Sequence, residues 1–173
     1  MSGRRYAACL LGYVGLSAVP VQAQTNAFHC QAGAGRSEVS VLGATENRGS
    51  VVGQISVVKM LMHSRYRAVG EINFAAENGS WKAKLDVLGF PRFRRNLLVG
   101  RLRIERDGKE QIFSLGDLAS GAVLPFQLTV ADGRVMAKLG KKTVEAEVPA
   151  SPSTARLGCS TGTVAFTELR FSQ

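Results

Sequence analysis

The sequence predicts an all-β domain built from antiparallel hairpins, on three observations. Beyond the first 23 or so residues no long stretch carries a helical period of apolar side chains. Alternating apolar and polar residues recur instead, interrupted by glycine-centred turn signals. Residues that pair directly across those turns also fall on matching faces, as an antiparallel ladder requires.

The first element precedes that domain. Ser2-Gly3-Arg4-Arg5 is a short cationic start, Ala7 to Val21 is apolar, and Val21-Gln22-Ala23 fits the small-x-small rule for signal peptidase. Residues 1–23 are expected to be a signal peptide cleaved before Gln24, and residues 24–173 a single all-β domain. The apolar run is shorter than a bilayer span and is interrupted by Gly12, Gly15 and Pro20, so no transmembrane segment is expected after cleavage. The expected location is outside the cytoplasm, periplasmic or secreted. Loss of Arg4 and Arg5 leaves a basic domain of about +7 net charge, a surface that favours anionic partners. Cys9 leaves with the signal. Cys30 and Cys159 remain, and an even pair in an exported chain reads as one disulfide. It would close a loop of about 129 residues, for which chain entropy gives roughly 5 kcal/mol at most.

The strands follow in order. Phe28 to Gln31, Glu38 to Leu42 and Val51 to Met60 alternate as strands do. Asn78-Gly79 reads as a two-residue type I′ turn. Closing it pairs Ala76 with Trp81, Phe74 with Ala83, Ile72 with Leu85 and Gly70 with Val87, which assigns Trp81 to the core. The other face pairs Asn73 with Lys84 and Glu71 with Asp86, and is wet. At Asp107-Gly108 a three-residue loop is expected, pairing Leu102 with Ile112 and sparing Ile112 a place opposite Arg103. Asp132-Gly133 pairs Val130 with Val135, Leu128 with Ala137 and Phe126 with Leu139. A further turn at Gly140-Lys141 brings Val144, Ala146 and Val148 inward and sets Arg134 opposite Glu147. Ile112 to Leu115 and Thr163 to Phe171 complete the set.

The closing stretch carries a resemblance. Pro125 to Val130, the Asp132-Gly133 turn, Val144 to Val148 and Ala155 to Phe171 resemble the end of concanavalin A-like and laminin G-like jelly rolls. There a meander is followed by a glycine-bearing segment and a last strand of the form V-x-F-x-x-L-x-F, here Val164, Phe166, Leu169 and Phe171. The resemblance covers the C-terminal third and implies an antiparallel β-sandwich of jelly-roll type. A lipocalin-like or other β-barrel is the alternative. Lectins, glucanases and adhesive modules are the relatives it implies, and fold alone does not choose among them.

The glucanase branch of that superfamily uses an E-x-D-x-E strand, which this chain lacks. Glu105-Arg106-Asp107 runs into a turn, and Glu145 and Glu147 fall on an outer strand face. Glu71 opposite Asp86 is the other acid pair, and Lys84 beside it can relieve the repulsion without a metal. No metal or cofactor is expected. His29 adjoins Cys30, His63 sits before a turn, and Ser160 lacks a nucleophile-elbow setting. Tyr66 is the one tyrosine outside the signal. The densest feature is the arginine cluster Arg92, Arg94, Arg95, Arg101 and Arg103, a residue type suited to bidentate grip on phosphate, sulfate or carboxylate. The sequence therefore leads to an exported non-catalytic binding or interaction module, not an enzyme, whose partner is an anionic glycan or a phosphorylated lipid head group. Nucleic acid is not an expected partner, since no nucleic-acid motif is present. The alternative is a carbohydrate-active enzyme with an unrecognised acid pair.

Overall fold

A computed structural model describes residues 26–61, 63, 65–90 and 97–173. Residues 1–23, expected to be a signal peptide, lie outside these residues, as do Arg92, Arg94 and Arg95. The elements are β1 (Asn26–Thr45), β2 (Arg48–Met60), β3 (Ala68–Ala76), β4 (Trp81–Phe90), β5 (Leu97–Arg106), β6 (Lys109–Leu118), β7 (Leu124–Ala131), β8 (Arg134–Leu139), β9 (Lys142–Glu147) and β10 (Ser153–Ser172). No helix among the described residues is long and apolar enough to cross a membrane, which says nothing about crossing by strands.

The fold is an antiparallel β-sandwich of jelly-roll type. Its two layers share their longest strands. One edge of β10 pairs with β3 through Ser153–Ser160 and with β2 through Gly162–Ser172, while β1 follows the other edge along both halves. The first sheet therefore runs β6-β5-β4-β3-β10-β1 and the second β1-β10-β2-β7-β8-β9. Both long strands break where they pass between layers, β10 at Thr161 with φ 51° and β1 between Ala32 and Ser37, around Gly35 with φ 73°. This is why Phe28 to Gln31 and Glu38 to Leu42, expected as two strands, are one strand with a bulge. Cys30 and Cys159 are bonded across that break, Cα atoms 5.9 Å apart.

Between the layers the core holds Ile55, Ile72, Phe74, Trp81, Leu85, Leu102, Leu128, Leu139, Leu157 and Phe166, all buried. Each such side chain contributes about 1.5–3 kcal/mol by burial. Trp81 also donates its indole N–H to Ser151 Oγ at 2.8 Å, which makes its polar edge compatible with the core. The uneven spacing of the last strand has a mechanical cause. A bulge at Glu168, φ 53°, adds one residue between Phe166 and Leu169 and returns Leu169 to the core.

The turns both follow and depart from expectation. The Asp132-Gly133 meander has the expected register through β7, β8 and β9, with Arg134 opposite Glu147. The β3–β4 register is also as expected, Phe74 opposite Ala83 and Ile72 opposite Leu85. Its turn is longer than type I′, however. Residues 77–80 connect the strands, Gly79 N–H donates to Ala76 C=O at 3.0 Å, and Ser80 N–H donates to Asn78 Oδ1. Only Gly79 of the pair takes positive φ, at 72°.

The three-residue loop at Asp107-Gly108 is corrected. Both residues take positive φ, a two-residue turn that sets Leu102 opposite Phe113 and Arg103 opposite Ile112. The apolar mismatch is relieved farther along. A shift between Gly100 and Arg101, opposite Gly116 with φ 88°, drops Leu115 into the core while Ile112 stays exposed.

Gly79 has open space around the position a Cβ would take, so a substitution there meets backbone strain alone. Gly79→Val is expected to cost more than about 1 kcal/mol, the scale of holding a β-branched residue at positive φ. An unchanged denaturant midpoint would contradict this.

Candidate functional site

Register places the chemistry on the outer face of the first sheet. The side chains there form rows that cross the strands. One row runs Val39, Gly158, Glu71, Asp86, Arg101, Ser114 from β1 to β6, and the next runs Val41, Arg156, Asn73, Lys84, Arg103, Ile112. A cleft of about 330 Å³ opens on this face, lined by Ser37, Val39, Val69, Glu71, Asp86, Arg101, Arg103 and Ser160 among others.

Asp86 is its centre. The side chain is 0% exposed although it points away from the core, and Asn73 on the same face is 4% exposed. Arg101 Nε donates to Asp86 Oδ2 at 3.0 Å, and Arg103 Nη2 lies 3.3 Å from the same oxygen. Asp86 Oδ1 has no hydrogen-bond partner among the described residues, nor do Asn73 Oδ1, Arg103 Nε and Arg156 Nε. A buried polar atom without a partner is costly, and four of them fall on this one face around Asp86.

The electrostatics decide what Asp86 can do. Burial pushes its carboxyl from 3.8 up to about 6, against the pull of Arg103, with repulsion from Glu71 adding to the rise and Arg101 opposing it. Desolvation thus outweighs two guanidiniums, as it commonly does for buried ion pairs. Glu71, directly across the ladder from Asp86, accepts a 2.6 Å hydrogen bond from Asn73 Nδ2. Around them Arg103 also reaches Glu110 at 3.2 Å and Glu105 at 3.7 Å, and Lys84 holds Glu105 at 3.0 Å. Burial raises the Glu105 carboxyl, but the hydrogen bond and charge of Lys84, with Arg103, bring it below the ordinary value.

Of the arginine cluster, Arg101 and Arg103 lie in this cleft, bound to carboxylates. Arg92, Arg94 and Arg95 belong to the connection between Phe90 and Leu97, outside the described residues. Glu145 and Glu147 stand exposed on β9, and His29 is exposed on β1. Cys30, Cys159 and Glu38 form the only cluster of metal-type ligands among the described residues, and its two sulfurs are consumed by the disulfide. The Glu71–Asp86 pair was legible from the hairpin register. Its burial was not.

No family model matches the chain, and no curated protein matches it. Solved structures do. An alginate lyase from Alteromonas sp. 272 is similar at 13% identity, covering 90% of each chain with a TM-score of 0.59. A polysaccharide lyase of family 18, aly-SJ02, is similar at 12% identity over 88% of this chain and 89% of that one, TM-score 0.58. A carbohydrate-binding module, CBM66 from Bacillus subtilis, matches at 9% identity over 84% and 86%, TM-score 0.55. At these identities the likeness is one of fold. It also corrects the expectation that the chain is not an enzyme: that expectation rested on missing motifs, and polysaccharide lyases of this shape share almost no sequence with it.

Proposed function

We propose that this domain is an exported carbohydrate-active enzyme that cleaves an acidic, uronate-containing polysaccharide by β-elimination in the cleft around Asp86. The observation that carries this reading is the acid pair itself: Asp86, with its carboxyl near 6, buried in the wall of the cleft beside Glu71 and bonded to two guanidiniums. Two carboxyl groups whose surroundings differ this much can divide acid and base roles. Elimination removes the proton next to the uronate carboxylate and breaks the bond to the leaving sugar oxygen. In this reading Glu71 takes that proton, and Asp86, which Arg101 and Arg103 cover in the free protein, gives its own to the leaving oxygen once the uronate carboxylate draws those guanidiniums away. Arg101 and Arg103, so drawn, and Arg156 on the neighbouring row hold the uronate carboxylate and stabilise the charge that develops on it. Hydrolysis would use the acid pair but has no need of guanidiniums beside it, which is the reason to favour elimination. Alginate, the substrate named for several solved structures of this shape, is the first polymer to test. The Cys30–Cys159 bridge fits an oxidising compartment outside the cytoplasm.

The test is release of new reducing ends from a panel of uronate and neutral polysaccharides by purified protein. Cleavage confined to uronate polymers is expected. A folded protein that cleaves none of them contradicts the reading.

The anion-binding role of Arg92, Arg94, Arg95, Arg101 and Arg103 belongs to the same proposal. Diffuse attraction is screened over about 8 Å at physiological ionic strength, so position separates a site from general charge. Arg94 and Arg95 changed together to Gln are expected to weaken polymer binding far more than Lys141 and Lys142 changed to Gln, measured by titration at fixed salt. Equal losses would mean that the cluster is only part of a generally basic surface.

A further inference from the structure

Two rings stand beside Gly35, two residues along β1 from one end of the cleft and outside its lining. Ser37 and Ser160 are paired in the β1–β10 ladder, and both line the cleft. Ser160 Oγ donates to Arg67 C=O at 3.1 Å, which fastens the approach to β3 at this end. Gly35, two residues before Ser37, lies against two rings: a Cβ there would be 3.2 Å from His63 Nε2 and 3.4 Å from Tyr66 Cδ2. The rings of His63 and Tyr66 stand 4.9 Å apart and tilted by 44°. Tyr66 is 53% exposed.

The pair is built into place. His63 Nδ1 accepts from the backbone N–H groups of Arg65 and Tyr66, at 3.1 and 3.2 Å, so the imidazole is fixed by the turn it belongs to. With Nδ1 accepting, a neutral His63 carries its proton on Nε2. Arg67 follows, its guanidinium 4.1 Å above the Phe90 ring, a cation–π contact that holds the charge near the same end. Val69 continues the surface into the cleft. An exposed ring packed on His63, an arginine next to it in sequence and Val69 on the strand leading to Glu71 have the chemistry of a sugar subsite: a ring to stack on, and a cation for a carboxylate.

We infer that Tyr66, backed by His63 and flanked by Arg67, is a distal subsite that binds an acidic sugar unit beyond the bond cleaved at Asp86. This rests on the cleft being a polysaccharide site. It makes the enzyme prefer long substrates, because a distal unit adds affinity only when the chain reaches it. Gly35 is then a positioning residue, since any side chain there meets the rings that form the platform.

The experiment is titration of uronate oligosaccharides of increasing length against the Asp86→Asn protein, whose slowed turnover leaves binding visible, with Glu71→Gln as a second background. Affinity is expected to rise with length. Adding Tyr66→Ala should remove the last step of that rise, a loss of roughly tenfold for the longest oligomers, while the shortest binders keep their affinity. Tyr66→Phe should retain it, because stacking needs the ring and not the hydroxyl. Gly35→Ala, if its unfolding midpoint stays near that of its parent, should lose the same step. An unchanged length dependence with Tyr66→Ala overturns the subsite and leaves the cleft standing. No binding at any length overturns both.

Discussion

Asp86→Asn is expected to lower the rate of polysaccharide cleavage by at least roughly a hundredfold, the usual scale for losing a positioned general acid. The amide keeps the shape of the side chain but has no proton to give. The pH dependence should follow the same group. A donor must be protonated, so the activity that depends on Asp86 should fall as pH rises through about 6. Stability moves the same way. A carboxyl whose folded value lies above its unfolded value of 3.8 gives a contribution fully present below that value and lost as pH rises through about 6. The loss is on the order of 3 kcal/mol. Unfolding measured from about pH 4 to about pH 7 should therefore show wild type weakening relative to Asp86→Asn. Parallel stability curves would mean that Asp86 has an ordinary carboxyl, and the acid role would go with it.

The second large effect concerns the bridge. Reduction, or Cys30 and Cys159 changed together to Ser, is expected to destabilise the domain by roughly 2–4 kcal/mol. The bond joins β1 and β10 where both pass between the layers, and Cys159 lines the cleft. The longest strand pairing in the molecule and one wall of the site thus depend on the same link. Thermal unfolding with and without reductant measures this, and coincident curves would contradict it.

Much of the fold was legible because ladder register is a parity rule. With turns at Asp132-Gly133 and Asn78-Gly79, parity alone pairs Leu128 with Ala137 and Ile72 with Leu85, as the structure has them. The rule failed where a bulge changes parity. At Asp107-Gly108 apolar matching favoured Leu102 opposite Ile112, whereas the chain keeps the tight turn and corrects the mismatch at Gly116, leaving Ile112 exposed. Parity also placed Glu71 and Asp86 on one wet face, without pairing their strands to the one that carries Arg101 and Arg103. It could not show that this face is hollow. Asp86 is buried on that face with Arg101 and Arg103 bonded to it, a packing that parity does not give. The arginines thus drew attention as free cations for a ligand, when two of them already hold the carboxyl at the centre of the cleft. Tyr66 and His63 meet Gly35 through a bulge in β1 that the sequence did not announce.

Elimination of a uronate bond in the cleft around Asp86 leaves its mark on the product. Elimination leaves a new double bond conjugated to the uronate carboxylate at the non-reducing end of each fragment, visible as ultraviolet absorbance. Digestion of alginate or another uronate polymer by wild type should generate that absorbance in step with new reducing ends, and Asp86→Asn and Glu71→Gln should suppress both together. Reducing ends without the absorbance would contradict elimination, and full activity in both variants would contradict the site.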